Sequence, residues 1–134
     1  YVLSFEEIMC MLEGKDIKFA EMSGDTAYER DASKLGLSFP LTAGVSAAVQ
    51  DTVAAMGGEV RNAQYCSGLD KCRDIVKAAA AGKLDCSYIE GMACSNGCID
   101  GPAAVGDFHI TKVALTKYAA AAPNKQAAED KHTK

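Results

Sequence analysis

Between Gly58 and Gly91 the chain reads as strand, helix, strand, and this order constrains the fold more than any other feature. Leu69, Cys72, Ile75, Val76 and Ala79 recur at the period of a helix face, with Ser67 before the run and Gly82 after it. Glu59–Tyr65 reads as a weakly alternating strand, and Asp85–Gly91, around Tyr88 and Ile89, as a second one. Such a unit implies parallel strands joined by a right-handed crossover. The predicted fold class is therefore α/β, a parallel sheet with flanking helices. Ligands of such sheets sit outside the carboxyl ends of the strands. The segment that falls there is Met92-Ala-Cys-Ser-Asn-Gly-Cys-Ile-Asp-Gly-Pro102.

The rest of the chain supplies helices. Tyr1–Leu3 reads as a short β-type stub. Ser4, with Glu7 three residues on, has capping-box spacing for a helix whose apolar face is Phe5, Ile8, Met9 and Leu12. Gly14 stops that helix, and Cys10 falls on its opposite face. Residues 23–35 are polar and without period, as a long surface excursion would be. Thr42–Ala55 returns to helical spacing through Val45, Ala48, Val49 and Val53, closed by Gly57 and Gly58. A last helix over Phe108–Ala121 is predicted to turn Ile110, Val113, Ala114 and Tyr118 inward. Residues 1–122 thus form one unit, and 123–134 a polar, disordered tail.

A length of 134 residues suits one hydrophobic core, and 49% apolar with 24% charged residues is the balance of a globular chain. A net charge of −4 offers no attraction to nucleic acid or an anionic membrane, and no apolar run reaches the length of a membrane span. The start lacks a signal-peptide pattern, so a cytoplasmic location is expected. It also lacks Met, as an expressed segment, a processed chain or a fragment would.

Six cysteines are many for such a chain. Its apolar, Ala-rich character argues for reduced thiols or metal ligands over a disulfide-stapled scaffold. Cys72, within the helical stripe, reads as a small core residue, and Cys66 as a strand-end core residue that could also pair with it or share a metal. Cys86 carries no signal, and Cys10 reads as a surface thiol. Cys94 and Cys98 differ, because Gly97 and Gly101 let the backbone fold closely around a ligand. Thiolates this close can share one iron–sulfur cluster or one zinc.

The string Tyr88-Ile-Glu-Gly-Met-Ala-Cys-Ser-Asn-Gly-Cys-Ile-Asp-Gly-Pro102 resembles the last signature motif of the iron-only hydrogenase catalytic domain, Glu-x-Met-Ala-Cys-x-x-Gly-Cys-x-x-Gly. Glu90, Met92, Ala93, Cys94, Gly97, Cys98 and Gly101 match in register. Val2-Leu-Ser-Phe-Glu-Glu-Ile resembles the segment that opens the C-terminal lobe of that domain. Leu41-Thr-Ala-Gly-Val-Ser-Ala-Ala-Val resembles the family's Thr-Gly-Gly-Val helix start, and Lys112–Tyr118 its closing helix.

The resemblance implies one lobe of a two-lobed domain that holds a [4Fe–4S] cluster bridged to a di-iron subcluster and interconverts protons, electrons and H₂. By position, Cys94 and Cys98 would ligate the cubane, Cys98 would also bridge to the di-iron unit, and Met92 would line that unit's pocket. Glu90 matches without an implied proton-transfer role. The family's two earlier motifs are not found here, so two cubane cysteines, a proton-delivering cysteine and a cyanide-contacting Lys are missing. Alone, the chain is expected to hold no complete cluster and to be inactive.

Its expected partners are the N-terminal lobe, in the same parent or a second chain, and a ferredoxin-like electron carrier. The exposed cleft face could also drive self-association. Where the family's prototype runs Gly-Gly-Gly, Cys98 is followed by Ile-Asp-Gly-Pro. With Cys66-Ser-Gly-Leu-Asp-Lys-Cys72 upstream, this version looks more like the divergent, sensory members. Two alternatives stay open: an iron–sulfur regulatory module without H₂ turnover, and a zinc-binding interaction domain using Cys66, Cys72, Cys94 and Cys98.

Overall fold

A computed structural model describes residues 1–23, 32–102 and 104–126. Five helices and two strands follow one another as α1 (Phe5–Gly14), α2 (Lys34–Leu37), α3 (Gly44–Ala55), β1 (Gln64–Ser67), α4 (Leu69–Ala80), β2 (Ile89–Met92) and α5 (Phe108–Ala120). The strands pair in parallel, with Cys66 opposite Gly91 and Ser67 opposite Met92. The expected strand–helix–strand unit and α/β class are therefore present.

Both strands start later than their sequence pattern suggests. Asn62 takes a left-handed φ of 48°, which turns the chain before β1. Ser87 donates from both N and Oγ to the Arg61 carbonyl, bracketing the approach to both strands. β1 then runs two residues past its expected end and β2 one, so Cys66 lies inside β1 and Met92 ends β2. Gly68, at φ 95°, takes the position before α4 without a side-chain cap, where Ser67 was expected to act.

The capping box at the start of α1 forms in full. Ser4 Oγ accepts from Glu7 N at 3.2 Å, and the Glu7 carboxylate accepts from Ser4 N at 2.7 Å. Yet no residue of α1 is buried, and Phe5 and Ile8 of its apolar face lie exposed. Tyr1–Leu3 is exposed chain and not a strand, and among the described residues no strand pairs with it. The excursion expected over 23–35 falls partly outside the described residues, and its end forms α2, whose cap Ser33 Oγ accepts from Gly36 N.

The face of α5 is the main correction. Ile110, Val113 and Tyr118, expected to point inward, are exposed, Ile110 at 72%. Phe108, Thr111 and Leu115 are half-buried and Ala119 is buried, so the inward line runs at three- and four-residue steps one register away. Small alanines let α5 approach α2 closely, and Ala122 is buried just beyond its end. The expected tail begins with this docked stretch: Asn124 O accepts from Lys34 N at 2.8 Å. Residues 127–134 lie outside the described residues.

The buried set is small and mixed. Ala48, Cys66, Ala119 and Ala122 are joined by Ser33, Ser46 and Glu90. Among the described residues no helix is long and apolar enough to cross a membrane.

Candidate functional site

The motif loop leaves β2 at Met92 and is held from behind by the segment that leads into α3. Cys98 N donates to Pro40 O at 2.8 Å, and Gly97 forms an antiparallel bridge with Leu41. This contact explains the glycine at 97. A Cβ there would meet Pro40 O at 2.5 Å and Thr42 N at 2.9 Å, and its φ of 91° disfavours other residues. Asn96, at φ 65°, supplies the preceding bend, and its side chain donates to the Asp100 carboxylate at 2.8 Å. Cys98–Asp100 then closes as a single 3-10 turn.

Glu90 is tied to the same segment. The residue is 5% exposed, and its carboxylate accepts from Ala43 N at 2.8 Å and Ser46 N at 2.5 Å. Helix α3 begins after Ala43 with no side-chain cap of its own. A carboxylate from β2 therefore fills the capping role, where the unpaired amides and the helix dipole favour negative charge. The signal for this role was a lone carboxylate in a strand between apolar neighbours, matched with a helix start, Thr42-Ala-Gly44, that has no cap there.

The expected site residues are arranged in sequence along this support. Met92 is half-buried, and its carbonyl accepts from Gly68 N at 2.9 Å. Cys94 is half-buried, with its Sγ 3.2 Å from where a Cβ on Gly101 would stand. Cys98 is exposed. A cleft of about 320 Å³ opens beyond the carboxyl ends of β1 and β2, lined by Ser67, Gly68, Leu69 and, on either side of Cys94, Ala93 and Ser95. This is the place where parallel sheets receive ligands. Behind the loop, Thr42 Oγ1 is buried without a partner among the described residues, next to a cavity of about 80 Å³.

The remaining cysteines sort themselves differently. Cys10 is exposed, as expected, and Cys86 half-buried before β2. Cys66 is buried, as its core reading requires. Cys72, read as a core residue, is only half-buried, as no residue of α4 is fully buried. Their sulfurs stand 3.3 Å apart. Burial pushes the Cys66 thiol above its ordinary range, and Cys72 and Glu90 add to that rise.

A family model described as iron only hydrogenase large subunit, C-terminal domain, matches residues 1–102. The chain belongs to this family. No curated protein matches the chain. The match takes in α1 through the motif turn and ends before α5, so the likeness read in Lys112–Tyr118 lies outside it.

Membership in the iron-only hydrogenase family implies iron–sulfur clusters in the complete protein. The motif loop fits that demand in part. Two closely spaced cysteines, one of them exposed, supply the soft ligands such clusters take, but a cubane takes four. Among the described residues no three His, Cys, Asp or Glu side chains converge on one metal position.

Proposed function

We propose that this chain is the half of an iron-only hydrogenase catalytic domain that contributes Cys94 and Cys98 to a [4Fe–4S] cluster. Cys98 would also help to hold the di-iron subcluster, and Met92 would line its pocket. The observation that carries this reading is the backing of the loop: Pro40 and Leu41 hold Gly97 and Cys98 from behind while the Cys98 thiol stays open.

When bound, the cluster supplies the electron transfer and H₂ chemistry. The chain's own residues orient two thiolates, and Glu90 ties the strand that leads into their loop to the start of α3. The other ligands come from an N-terminal lobe in the same parent or a second chain, and electrons from a ferredoxin-like carrier. The exposed apolar groups of α1 and α5 suit a chain that another body covers, or one that self-associates alone. Six free thiols suit a reducing, cytoplasmic setting.

The test is anaerobic reconstitution with iron and sulfide, read by EPR after reduction. The chain alone should hold little cubane, and a parent carrying the missing cysteines a full one that Cys98→Ala removes together with the di-iron signature. A cubane that survives Cys98→Ala in the parent would sink the proposal.

A further inference from the structure

A second thiol pair lies on the opposite side of the motif strand from the α3 clamp, and neither the family match nor the proposed cluster uses it. Cys66, third residue of β1, and Cys72, fourth residue of α4, bring their sulfurs to 3.3 Å. The residue paired with Cys66 across the sheet is Gly91, whose missing side chain leaves room at that point. A Cβ there would stand 3.4 Å from Cys72 Sγ and 3.9 Å from Cys66 Sγ. A disulfide needs sulfurs about 2.05 Å apart. The gap is within reach of small side-chain rotations, and only Gly68 stands between β1 and α4.

The geometry points to Cys66 and Cys72 as a reversible dithiol–disulfide site set behind the metal-binding loop. The oxidant is a low-molecular-weight disulfide such as oxidised glutathione. Cys72, the more accessible thiol, loses its proton and attacks one glutathione sulfur, releasing the first reduced glutathione and leaving a mixed disulfide on Cys72. Cys66 then gives up its proton and attacks the Cys72 sulfur, releasing the second. Two protons and two electrons leave the protein, and one disulfide becomes two thiols on the glutathione side. Burial of Cys66 holds it as the protonated, resolving partner until that second step.

The pair is also placed to be felt by the loop. Cys66 Sγ reaches Glu90 O at 3.5 Å, and Cys72 Sγ reaches Met92 O at 3.3 Å. Oxidation removes both S–H donors from the strand carbonyls on either side of Gly91, the nearer of them, on Met92, two residues before Cys94. None of this depends on Cys94 and Cys98 holding a cluster.

The test uses the full chain and oxidised glutathione, under conditions strong enough to modify the exposed Cys98. The sample is alkylated and digested without reductant. Trypsin cuts at Lys71 and Arg73, so the link joins two separate peptides, one with Cys66 and one with Cys72. The expected result is that cross-linked pair, lost on adding dithiothreitol, with glutathione retained on Cys72 in a Cys66→Ser variant. Alkylated Cys66 and Cys72 in a wild-type sample whose Cys98 carries glutathione would overturn the inference. So would a wild-type mixed disulfide on Cys72 that never resolves. Both outcomes are read on the wild-type chain, so the proposal does not hinge on the variant folding.

Discussion

Glu90 accepts the backbone N–H of Ala43 at 2.8 Å across 47 positions of sequence, and its other oxygen takes the N–H of Ser46. One buried carboxylate thus joins the motif strand to the start of α3. Glu90→Ala leaves two amides without their anion, and hydrogen bonds to a charged group are worth about 1.5–3 kcal/mol each. We expect a loss of about 3 kcal/mol by urea denaturation. Glu90→Gln should lose about 2 kcal/mol, because its NH₂ must face one of the two N–H donors. A loss below about 0.5 kcal/mol for both variants would show that the carboxylate does not hold the helix.

Ala43 sits at φ 68°, a left-handed conformation that side-chain-bearing residues adopt at a cost. Ala43→Gly restores the Thr-Gly-Gly-Val pattern of the family and removes that cost. The variant should be more stable by about 1 kcal/mol, the scale of a single strained residue. A Tm unchanged or lowered would contradict this backbone assignment.

Gly97→Ala makes the opposite change in a tighter place. Its Cβ would stand 2.5 Å from Pro40 O, and backbone cannot yield as a flexible side chain can. We expect a loss of about 2–3 kcal/mol, combining the clash with the positive φ. In the parent protein, iron content should fall with it. Normal stability with normal iron would show that Pro40 does not press on the loop.

Thiol labelling separates the cysteines by their surroundings. Cys10 and Cys98 are exposed, whereas Cys66 is buried with its thiol pushed above the ordinary range. The thiolate is the reactive form, so near pH 7.5 Cys66 should label at least about tenfold more slowly. The gap should narrow as pH rises through and beyond the usual thiol range. The same shift carries a sign for stability. The unfolded chain releases this proton at lower pH than the folded one, so stability is intact below the ordinary thiol range and falls as pH rises through it. Equal labelling of Cys66 and Cys98 at neutral pH would count against the buried placement.

Where the sequence was readable, the deciding interactions were local. The capping box of Ser4 and Glu7 spans one helical turn, and α4 declares itself through five apolar positions between small-residue breaks. The register of α5 was misread because apolar side chains occur on more than one of its faces, so periodicity alone cannot choose between Ile110 and Leu115. Only the close approach of Ala119 to its neighbours decides it. The motif cysteines were visible through their spacing and their glycines. What stood behind them was not, because Pro40, Leu41 and Ala43 lie far back along the chain and contribute mostly backbone atoms, which leave no residue-type signature.

That backing has a consequence for anyone who would move the loop elsewhere. Residues 40–46 grip the motif at two points, at Glu90 within the strand and at Gly97 and Cys98 after the bend. A synthetic peptide copying Glu90–Gly101 would carry both thiols yet lack the counterpart that aims them. A graft that keeps its shape must import two stretches of sequence together. The portable unit is a discontinuous pair of segments, so a search for transplantable versions should score both at once.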